Sequence, residues 1–495
     1  MSKALLCPCE DVTLGDVEVA IAKGYRDVES IKRYTGFGTG ICQGKSCLTA
    51  VAQVLSRTPG VAPSAVLPFT PRPPTHPTEL SILATLGVDE REVPSQGVPV
   101  SSGDSSTALR PATPVPARAQ VVIVGGGVMG LALAHNLAKR GCTDVVVLEK
   151  GYLCAGASGR NGGGVRMQWG TSANIELARR SIELMKQFAG EMGINIWLRQ
   201  GGYLFLARSR AVAERLEKNA RLHNQHAVRT EILSPDKARD LVPELSLRGV
   251  VLAAYHPEDG VIFPWPFLWG YAQAAQKRGV RVETFTQVLG LQTSDGLVRS
   301  VQTDRGPIAC DTVVLAAGAW SPGVARLAGV TLPNEPHRHE ILSTEPLKPF
   351  LGPLVSVLDS GLYFSQSMRG EIVGGMGDPN EPAGLEQGST LRFLARFSRA
   401  LTEQVPILGQ VKVLRQWAGC YDVTPDNNPI LGRTPGLPNL LQMSGFVGHG
   451  FMMAPAVAER MAEWMVTGNA DELFTRFNLE RFASGKLERE DMIIG

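Results

Sequence analysis

The 495-residue sequence predicts an α/β fold class in which a Rossmann-like nucleotide-binding domain follows a small helical module. Three observations predict this arrangement. A buried strand, a glycine turn, a helix and a second strand follow one another in VVIVGGGVMGLALAHNLAKRGCTDVVVLEK. Helix-like and strand-like segments alternate through the rest of the sequence. Four of the eight cysteines lie within the first fifty residues, ahead of a proline-rich tract.

Composition sets the class of protein. Hydrophobic residues make up 44% of the chain, which is enough for full-sized cores in about three domains. The formal charge of +2 gives no basic field that would attract nucleic acid, so we expect no nucleic-acid partner. The first residues lack the apolar run of a signal peptide, and no stretch approaches the about 18 apolar residues of a membrane span. We therefore expect a cytoplasmic protein without a transmembrane segment, with peripheral attachment to the inner membrane as the alternative.

The chain divides into three regions. Residues 1–57 form a compact module, in which Thr13 caps a first helix that Gly24 stops, and further helices follow near 28–35 and from about 45. Residues 58–118 are rich in Pro, Ser and Thr, which is typical of a linker, with a brief helical segment near 81–86. Residues 119–495 carry the alternating α/β pattern.

The clustered cysteines predict a metal centre. Cys7 and Cys9 form a CxC pair, and Cys42 and Cys47 form a CxxxxC pair within GICQGKSC. In a chain without an export signal, such thiols are typical of metal ligands rather than disulfides. The spacing favours the two irons of a [2Fe-2S] cluster over structural zinc, which usually takes two CxxC-like knuckles and remains the alternative.

The glycine-rich stretch predicts dinucleotide binding. Gly125 allows a tight turn, Gly127 lets the backbone approach a pyrophosphate at the helix N-terminus, and Gly130 permits close packing of helix on strand. Glu149 ends the second strand, where an acid can accept from a ribose hydroxyl. A purely structural glycine turn is the alternative.

Three further glycine-rich segments favour FAD over a mobile nicotinamide cofactor. YLCAGASGRNGGGVRMQWG directly follows Glu149, and DTVVLAAGAWS and SGFVGHGFMMAPA lie far downstream. Remote turns of this kind can converge on one long, permanently bound ligand. The expected cofactor contacts are Gly125, Gly127, Val128, Met129, Gly130, Glu149, Lys150, Ser158, Arg160, Asn161, Gly162, Gly163, Ala317, Gly318, Trp320, Gly445, Gly448, His449, Gly450 and Phe451.

These motifs carry a family resemblance. Together with WAGCYDVTPDNNPILG, they resemble the D-amino acid oxidase family of FAD-dependent amine oxidoreductases, in the branch of sarcosine oxidase, glycine oxidase and proline dehydrogenase β subunits. CPCEDVT and GICQGKSC resemble the bacterioferritin-associated-ferredoxin-like [2Fe-2S] module of hydrogen cyanide synthase, opine oxidase and proline dehydrogenase complexes. The resemblance implies an FAD-binding domain interleaved with an antiparallel β substrate domain.

The resemblance also implies substrate-site residues. Arg166, in RMQWG, aligns with an arginine that pairs with the substrate carboxylate; a surface or FAD-phosphate arginine is the alternative. Tyr421 aligns with a tyrosine of the substrate pocket, and His449 in GHGF is similar to a histidine near the flavin. A packing role is the alternative for both.

Several positions depart from the family pattern. Met452 stands where some sarcosine oxidases have a lysine, and Glu371 and Tyr421 replace arginines used by glycine oxidase-like members, so a second cationic anchor is missing. Cys420 is offset by one position from a site of covalent flavin attachment, so we expect noncovalent FAD. Trp417 is interpreted as a pocket wall or core residue. His337, Arg338 and His339 are expected to be structural, with flavin contact as the alternative.

The expected function is FAD-dependent oxidation of a small amino or imino acid, such as sarcosine, glycine, proline, hydroxyproline or an opine. Electrons would pass through the [2Fe-2S] cluster to a quinone or a redox partner protein. Partner subunits or a homo-oligomer are compatible with this hypothesis. Two alternatives stay open: an electron-transfer or structural subunit with a degenerate pocket, and an oxidase without a working cluster.

Overall fold

The computed structural model describes residues 4–61, 66–69, 73–87, 114–469 and 471–494. Most of the expected 58–118 linker therefore lies outside the described residues. None of the helices within the described ranges combines the length and hydropathy that a membrane span requires.

Residues 4–61 form the expected helical module, which also contains a two-stranded antiparallel sheet. Thr13 caps the first helix as predicted, because its side chain accepts from the backbone N–H of Asp16. The module has its own apolar core, to which Cys7 and Cys47 contribute buried side chains. Its elements are β1 (Leu5–Cys7), β2 (Val12–Thr13), α1 (Leu14–Ala22), α2 (Val28–Thr35) and α3 (Leu48–Ser56).

Part of the expected linker is folded. Strand β3 (Thr78–Glu79) pairs with Lys412 and Val413 of a large sheet, and helix α4 (Leu80–Ala84) follows it. Leu80 and Leu83 are buried in the core beneath that sheet. A linker was expected because of the proline-rich composition, but two apolar residues at helical spacing suffice to anchor this segment.

The remaining residues supply the two large sheets and their helices. The strands are β4 (Arg118–Val124), β5 (Val145–Leu148), β6 (Gly164–Val165), β7 (Tyr203–Ala207), β8 (Glu231–Leu233), β9 (Leu252–His256), β10 (Gly260–Val261), β11 (Arg281–Glu283), β12 (Val288–Ser294), β13 (Leu297–Thr303), β14 (Gly306–Leu315), β15 (Glu335–Pro346), β16 (Leu354–Val357), β17 (Leu362–Gln366), β18 (Glu371–Gly375), β19 (Lys412–Val423), β20 (Ile430–Thr434) and β21 (Leu437–Ser444). The helices are α5 (Val128–Lys139), α6 (Ser172–Met192), α7 (Arg210–Gln225), α8 (Pro235–Leu241), α9 (Pro264–Lys277), α10 (Ser321–Arg326), α11 (Leu391–Gln404), α12 (Gly450–Thr467), α13 (Glu472–Arg476) and α14 (Arg481–Ser484).

The first large sheet has the Rossmann-like character that the sequence predicts. Its strand order is β11-β5-β4-β14-β13-β12, with β21 also paired to β14 and β20 to β21. Strands β11, β5, β4, β14 and β21 run parallel. Their carboxyl ends therefore meet at one edge, which brings together the turns that begin at Gly125, Glu149, Ala316 and Gly445.

The second large sheet is the interleaved antiparallel domain. Its nine strands have the order β3-β19-β15-β18-β17-β16-β7-β9-β8. All of its described pairings are antiparallel apart from β7 with β16. Strands β7 to β9 and β15 to β19 of this sheet are separated in sequence by strands β11 to β14 of the first sheet. The chain therefore passes back and forth between the two domains. The face of this sheet closes the site described next.

Candidate active site

A cavity of about 980 Å³ links the two large sheets. Backbone turns at the edge of the parallel sheet line one part, including Gly125, Glu149 and Ala317. Side chains from the antiparallel sheet line the other part, including His339 and Tyr421. We call these parts the glycine end and the aromatic end.

In the turn of the glycine end, neighbouring backbone atoms leave no room for a side chain at Gly125 or Gly130. A Cβ on Gly125 would lie 2.3 Å from the carbonyl oxygen of Ala316, and the φ angle of Gly125 is +118°. A Cβ on Gly130 would lie 2.1 Å from the carbonyl oxygen of Gly125. The turn therefore needs glycine both for its conformation and for the close packing of α5 on β4.

Glu149 holds this turn in place by hydrogen bonds to its backbone. Its carboxylate accepts from the backbone N–H of Gly126 at 3.0 Å and from that of Gly151 at 2.8 Å. Burial raises the pKa of Glu149, while these two hydrogen bonds act in the opposite direction. A carboxylate has about four lone-pair sites, so it can also accept from a ribose hydroxyl, as the sequence predicts.

The structure brings most of the expected cofactor residues to one cavity. Two of them, Gly130 and Gly445, lie behind it: Gly130 packs helix on strand, and Gly445 donates its N–H to Asp422 at 2.6 Å. The expected residues that line the cavity are Gly125, Gly127, Val128, Met129, Glu149, Lys150, Ser158, Arg160, Asn161, Gly162, Gly163, Ala317, Gly318, Trp320, Gly448, His449, Gly450 and Phe451. This lining fits a long dinucleotide.

The aromatic end is built from stacked rings. The rings of His339 and Tyr421 are nearly parallel, with centroids 4.6 Å apart. His339 Nε2 is 3.0 Å from the hydroxyl of Tyr363. His449 follows the turn from β21 and packs edge-on against Trp169 at 4.9 Å. Tyr421 and His449 both line the cavity, together with His339 and Tyr363. Contact of Tyr421 with the substrate and of His449 with the flavin stays a prediction.

The imidazoles of this end are neutral at pH 7. Burial lowers the pKa of His339 to about 4. Burial, followed by the charge of Arg166, lowers the pKa of His449 well below its ordinary value. Burial also raises the pKa of Tyr421, which keeps its hydroxyl protonated. The rings can thus hold a neutral ligand group without competing for its proton.

Arg166 is not placed in the cavity, in contrast to the expected carboxylate anchor. Its side chain is fully buried, and it does not line the cavity. Its terminal nitrogens donate to the carbonyl oxygens of Gln168 and Met492. The guanidinium also lies 4.1 Å from the ring centroid of Trp169. The alternative of a surface or FAD-phosphate arginine does not fit either, because Arg166 has no exposed surface and does not line the cavity.

The positions that depart from the family pattern have separate roles. Met452 and Cys420 line the cavity, and Cys420 is a free thiol. Trp417 supports the loop after β5, because its Nε1 donates to the carbonyl oxygen of Arg160 at 2.8 Å. Glu371 lies 3.1 Å from Arg415 and faces away from the cavity.

The neighbours of His339 on β15 are structural, as expected. Arg338 is buried and pairs with Glu381 at 2.9 Å, and His337 contacts the carbonyl oxygen of the same residue at 3.3 Å. His339 itself takes the alternative role and lines the cavity. Alternation along the strand separates Arg338 from His339, because successive side chains point to opposite faces. His337 shares the face of His339 but does not line the cavity.

Several lining residues were missed at the sequence level, among them Tyr363, Asp422 and Ile494. Tyr363 was not singled out, although period-2 alternation along its strand places it on the face opposite Leu362 and Phe364. Asp422 lies beneath the turn after β21 and accepts from the N–H groups of Gly445 and Phe446. Ile494 lies far from every motif. Only the tertiary structure places it.

The four expected metal ligands form two pairs of thiols. Cys9 lies beside Cys42, and Cys7 lies beside Cys47. All four are free thiols, and burial followed by the contact with Cys7 raises the pKa of Cys47 to about 12. Within the described residues, no group of three or more His, Cys, Asp or Glu side chains has the arrangement of a metal site.

The helical module also borders the cavity. Tyr34 packs on Trp269 of α9 at 4.7 Å, and Arg33 lies over the ring of Tyr152 at 5.3 Å. Arg415 donates to the carbonyl oxygen of Thr39 at 2.8 Å. Module residues that line the cavity are Asp27, Val28, Glu29 and Arg33, joined by residues 67–69. The thiol-bearing module is therefore docked against the same cavity.

Comparison with protein families places most of the chain. The family model described as "FAD dependent oxidoreductase" (DAO) matches residues 120–464. A second model, described as the sarcosine oxidase A3 domain, matches residues 1–86. The second match extends past the expected boundary at residue 57 and takes in β3 and α4. Its description names no iron–sulfur cluster.

Individual relatives agree with the first match. The sarcosine oxidase subunit beta of Rhizobium meliloti is 33% identical over 375 residues, covering 74% of this chain and 89% of that protein. The crystal structure of L-proline dehydrogenase from P. horikoshii superposes with a TM-score of 0.72 and 34% identity, covering 76% of this chain and all of that one. The mitochondrial pyruvate dehydrogenase phosphatase regulatory subunit of mouse is 30% identical over 401 residues, 78% of this chain and 46% of that protein.

Proposed function

This chain belongs to the DAO family of FAD-dependent oxidoreductases, and from that premise we propose that it oxidises a small amino or imino acid at the carbon bearing the nitrogen. One observation carries the proposal: a single cavity joins the glycine end to the aromatic end. A dinucleotide held at the first would leave the second for its reactive ring and for the substrate.

The substrate class follows from the relatives and from the chemistry of the aromatic end. The relatives named above act, by their names, on sarcosine and on L-proline. Both are secondary amines with one carboxylate. Glycine, which is a primary amine, and hydroxyproline and opine-like compounds, which are secondary amines, also carry nitrogen on a carbon next to a carboxylate and are further candidates.

FAD would be held by the backbone turn at Gly125 and Gly127, the carboxylate of Glu149 and the loop from Ser158 to Gly163. When bound, FAD supplies the acceptor for the hydride that leaves the substrate carbon. The thiol of Cys420 is free and its pKa is raised to about 12, mainly by burial, so it is a poor nucleophile. We therefore propose noncovalent FAD.

The protein's own contribution at the aromatic end is to bind and orient a neutral amine. His339 and His449 are uncharged at pH 7, and burial raises the pKa of Tyr421. These rings carry no negative charge that could pair with an ammonium ion, so they disfavour binding of the protonated amine. The free amine, whose lone pair is available, is the form that can lose hydride.

The helical module would hold a [2Fe-2S] cluster. Such a cluster takes two thiolates on each iron, and the module supplies two thiol pairs, Cys7 with Cys47 and Cys9 with Cys42. Gly40 fits tightly in this loop, since a Cβ there would lie 2.4 Å from Cβ of Cys9. The cluster would supply a one-electron acceptor beside the cavity. A quinone or a redox protein would be the next acceptor, and partner subunits would be present as in the sarcosine oxidase relatives. We expect this chemistry to take place in the cytoplasm or at the inner membrane surface.

Anaerobic mixing of the FAD-loaded protein with sarcosine, glycine, proline and hydroxyproline tests the amine reaction. We expect at least one of them to bleach the flavin absorbance near 450 nm. The second candidate function is a subunit without catalysis. Two observations favour it. Arg166 is bonded inside the fold and not in the cavity, and the mouse relative is, by its name, a regulatory subunit. If no amine in a wider panel that includes opines bleaches the flavin, the second function replaces the first.

Iron and acid-labile sulfide analysis tests the cluster. We expect about two irons per chain in the wild type and a loss of both iron and sulfide in Cys9→Ser. The matched control is Cys310→Ser, since Cys310 lies in β14 within the apolar core of the first large sheet. Zinc in place of iron would contradict the proposal, and so would iron content that is equal in the two variants.

A further inference from the structure

Residues 488–494 lie along the loop that carries Arg166. Glu490 is completely buried, and its carboxylate accepts from the N–H of Gly170 at 2.7 Å, from the hydroxyl of Thr171 at 3.1 Å and from the amide of Asn174 at 2.9 Å. These donors join the Arg166 loop to the start of α6. The segment is therefore fixed at its middle by one carboxylate.

Arg166 holds the next part of the segment. One of its terminal nitrogens donates to the carbonyl oxygen of Met492, a residue with no exposed surface. The other donates to Gln168, so the guanidinium spans from its own loop to residue 492. Removing this side chain would leave a buried carbonyl oxygen without its donor.

Ile494 brings the segment to the cavity. Its side chain is 5% exposed and lines the cavity. It belongs to an apolar cluster with Tyr203 and Leu354, against which Tyr363 packs. All three of these neighbours also line the cavity, which places Ile494 at the aromatic end.

We propose that residues 488–494 form a wall of the substrate end, and that Ile494 limits the size of the ligand's alkyl group. Arg166 is then a positioning residue, because it acts on the ligand through Met492 and Ile494 rather than by pairing with a carboxylate. The inference rests on the proposed function for the identity of the reaction. The wall itself can be tested by binding alone.

The test uses a ladder of unreactive carboxylates, from acetate through butyrate to hexanoate, bound to the FAD-loaded protein and followed by flavin difference absorbance. Ile494→Ala is expected to tighten hexanoate relative to acetate about tenfold, because a removed side chain leaves room for methylene groups. Ile494→Phe is expected to shift the ratio in the opposite direction. The matched control is Ile493→Ala, since Ile493 packs against the core of the first sheet and does not line the cavity.

Arg166→Gln separates the two roles of the arginine. A positioning residue gives a shift in the size ratio like that of Ile494→Ala, with faster hydrogen exchange in peptides covering residues 488–494. A carboxylate anchor gives weaker binding of every acid by the same factor, with no change in the ratio, and this result would overturn the assignment of Arg166. If Arg166→Gln does not fold, the two substitutions of Ile494 still decide whether the wall exists.

Turnover of N-methyl, N-ethyl and N-propyl glycine by the same variants distinguishes this inference from the proposed function. Amine turnover with an unchanged size ratio in Ile494→Ala overturns the wall and leaves the reaction in place. No turnover of these amines or of the wider panel that includes proline and opines, together with a shifted ladder, overturns the reaction and supports the wall. If the experiments show no turnover and no shift in the size ratio, both the reaction and the wall are overturned.

Discussion

The two ends of the cavity are made in different ways. At the glycine end, backbone groups touch one another, and a Cβ on Gly125 would lie within 2.3 Å of a carbonyl oxygen. At the aromatic end, side chains from β15, β17 and β19 meet as stacked rings, and His449 in the loop before α12 packs edge-on against Trp169. The turn at Gly125 has no room for a side chain, whereas the aromatic end is filled by side chains. We therefore expect substitutions at the first to weaken or abolish cofactor binding and substitutions at the second to change rates.

The largest effect is expected for Gly125→Val. The φ angle of +118° and the contact with Ala316 both exclude a branched side chain. The variant should purify with almost no FAD, as measured by the ratio of absorbance at 450 nm to that at 280 nm. Gly190→Ala in α6 is the control, because a Cβ there meets nothing within 4 Å. FAD at the wild-type stoichiometry in Gly125→Val would remove the basis for the glycine end.

Glu149→Gln should weaken FAD by a smaller factor. The amide can still accept one hydrogen bond, but one of the N–H groups of Gly126 and Gly151 loses its acceptor. A buried unsatisfied donor costs about 1–3 kcal/mol, which corresponds to roughly 5- to 150-fold in the dissociation constant. Fluorescence titration of the apoprotein with FAD measures it. Glu183→Gln, an exposed member of an ion pair on α6, should leave the constant unchanged.

A change at the aromatic end is expected to affect the rate and not the cofactor. His339→Phe keeps a ring against Tyr421 but removes the hydrogen bond to Tyr363. Loss of one such bond corresponds to about 0.5–1.5 kcal/mol, so the limiting rate of flavin reduction should fall roughly 2- to 10-fold. The FAD content should stay at the wild-type value. A variant that loses FAD instead would show that the two ends are not independent.

The smallest effect concerns pH. Burial lowers the pKa of His339 to about 4, so this imidazole gains a proton only as the pH falls toward 4 and stays neutral above about pH 5. Any contribution of its neutral form is lost on acidification and is fully present at pH 7. The profile of kcat/KM should then rise with the fraction of free amine and show no enzyme ionisation near 6.5. An ionisation near 6.5 that disappears in His339→Phe would contradict the neutral site.

The difference between the glycine end and the aromatic end also explains which features could be predicted from the sequence. The glycine end follows from contiguous residues, because the turn, the helix and the acid Glu149 are all within one stretch of chain, and parallel strands bring the remote turns to the same edge. Tyr421 and His449 could be placed by resemblance to relatives.

The remaining features depend on tertiary contacts that no local pattern encodes. Arg166 sits in a motif but its partner, Met492, is more than three hundred residues away. His339 and Arg338 are adjacent on one strand, and only the packing of β15 against β19 and β18 decides which of them faces the cavity. The folded segment at Thr78–Glu79 was hidden by proline-rich composition, because one edge pairing with β19 gives no sequence period of its own.

A crystal structure of the FAD-loaded protein with an unreactive carboxylate analogue of proline tests the shared cavity most directly. We predict the cofactor's diphosphate against Gly125 and Gly127, and the analogue among His339, Tyr363 and Tyr421. An analogue bound elsewhere, or a cofactor that fills the aromatic end and leaves no space beside these rings, would contradict the account.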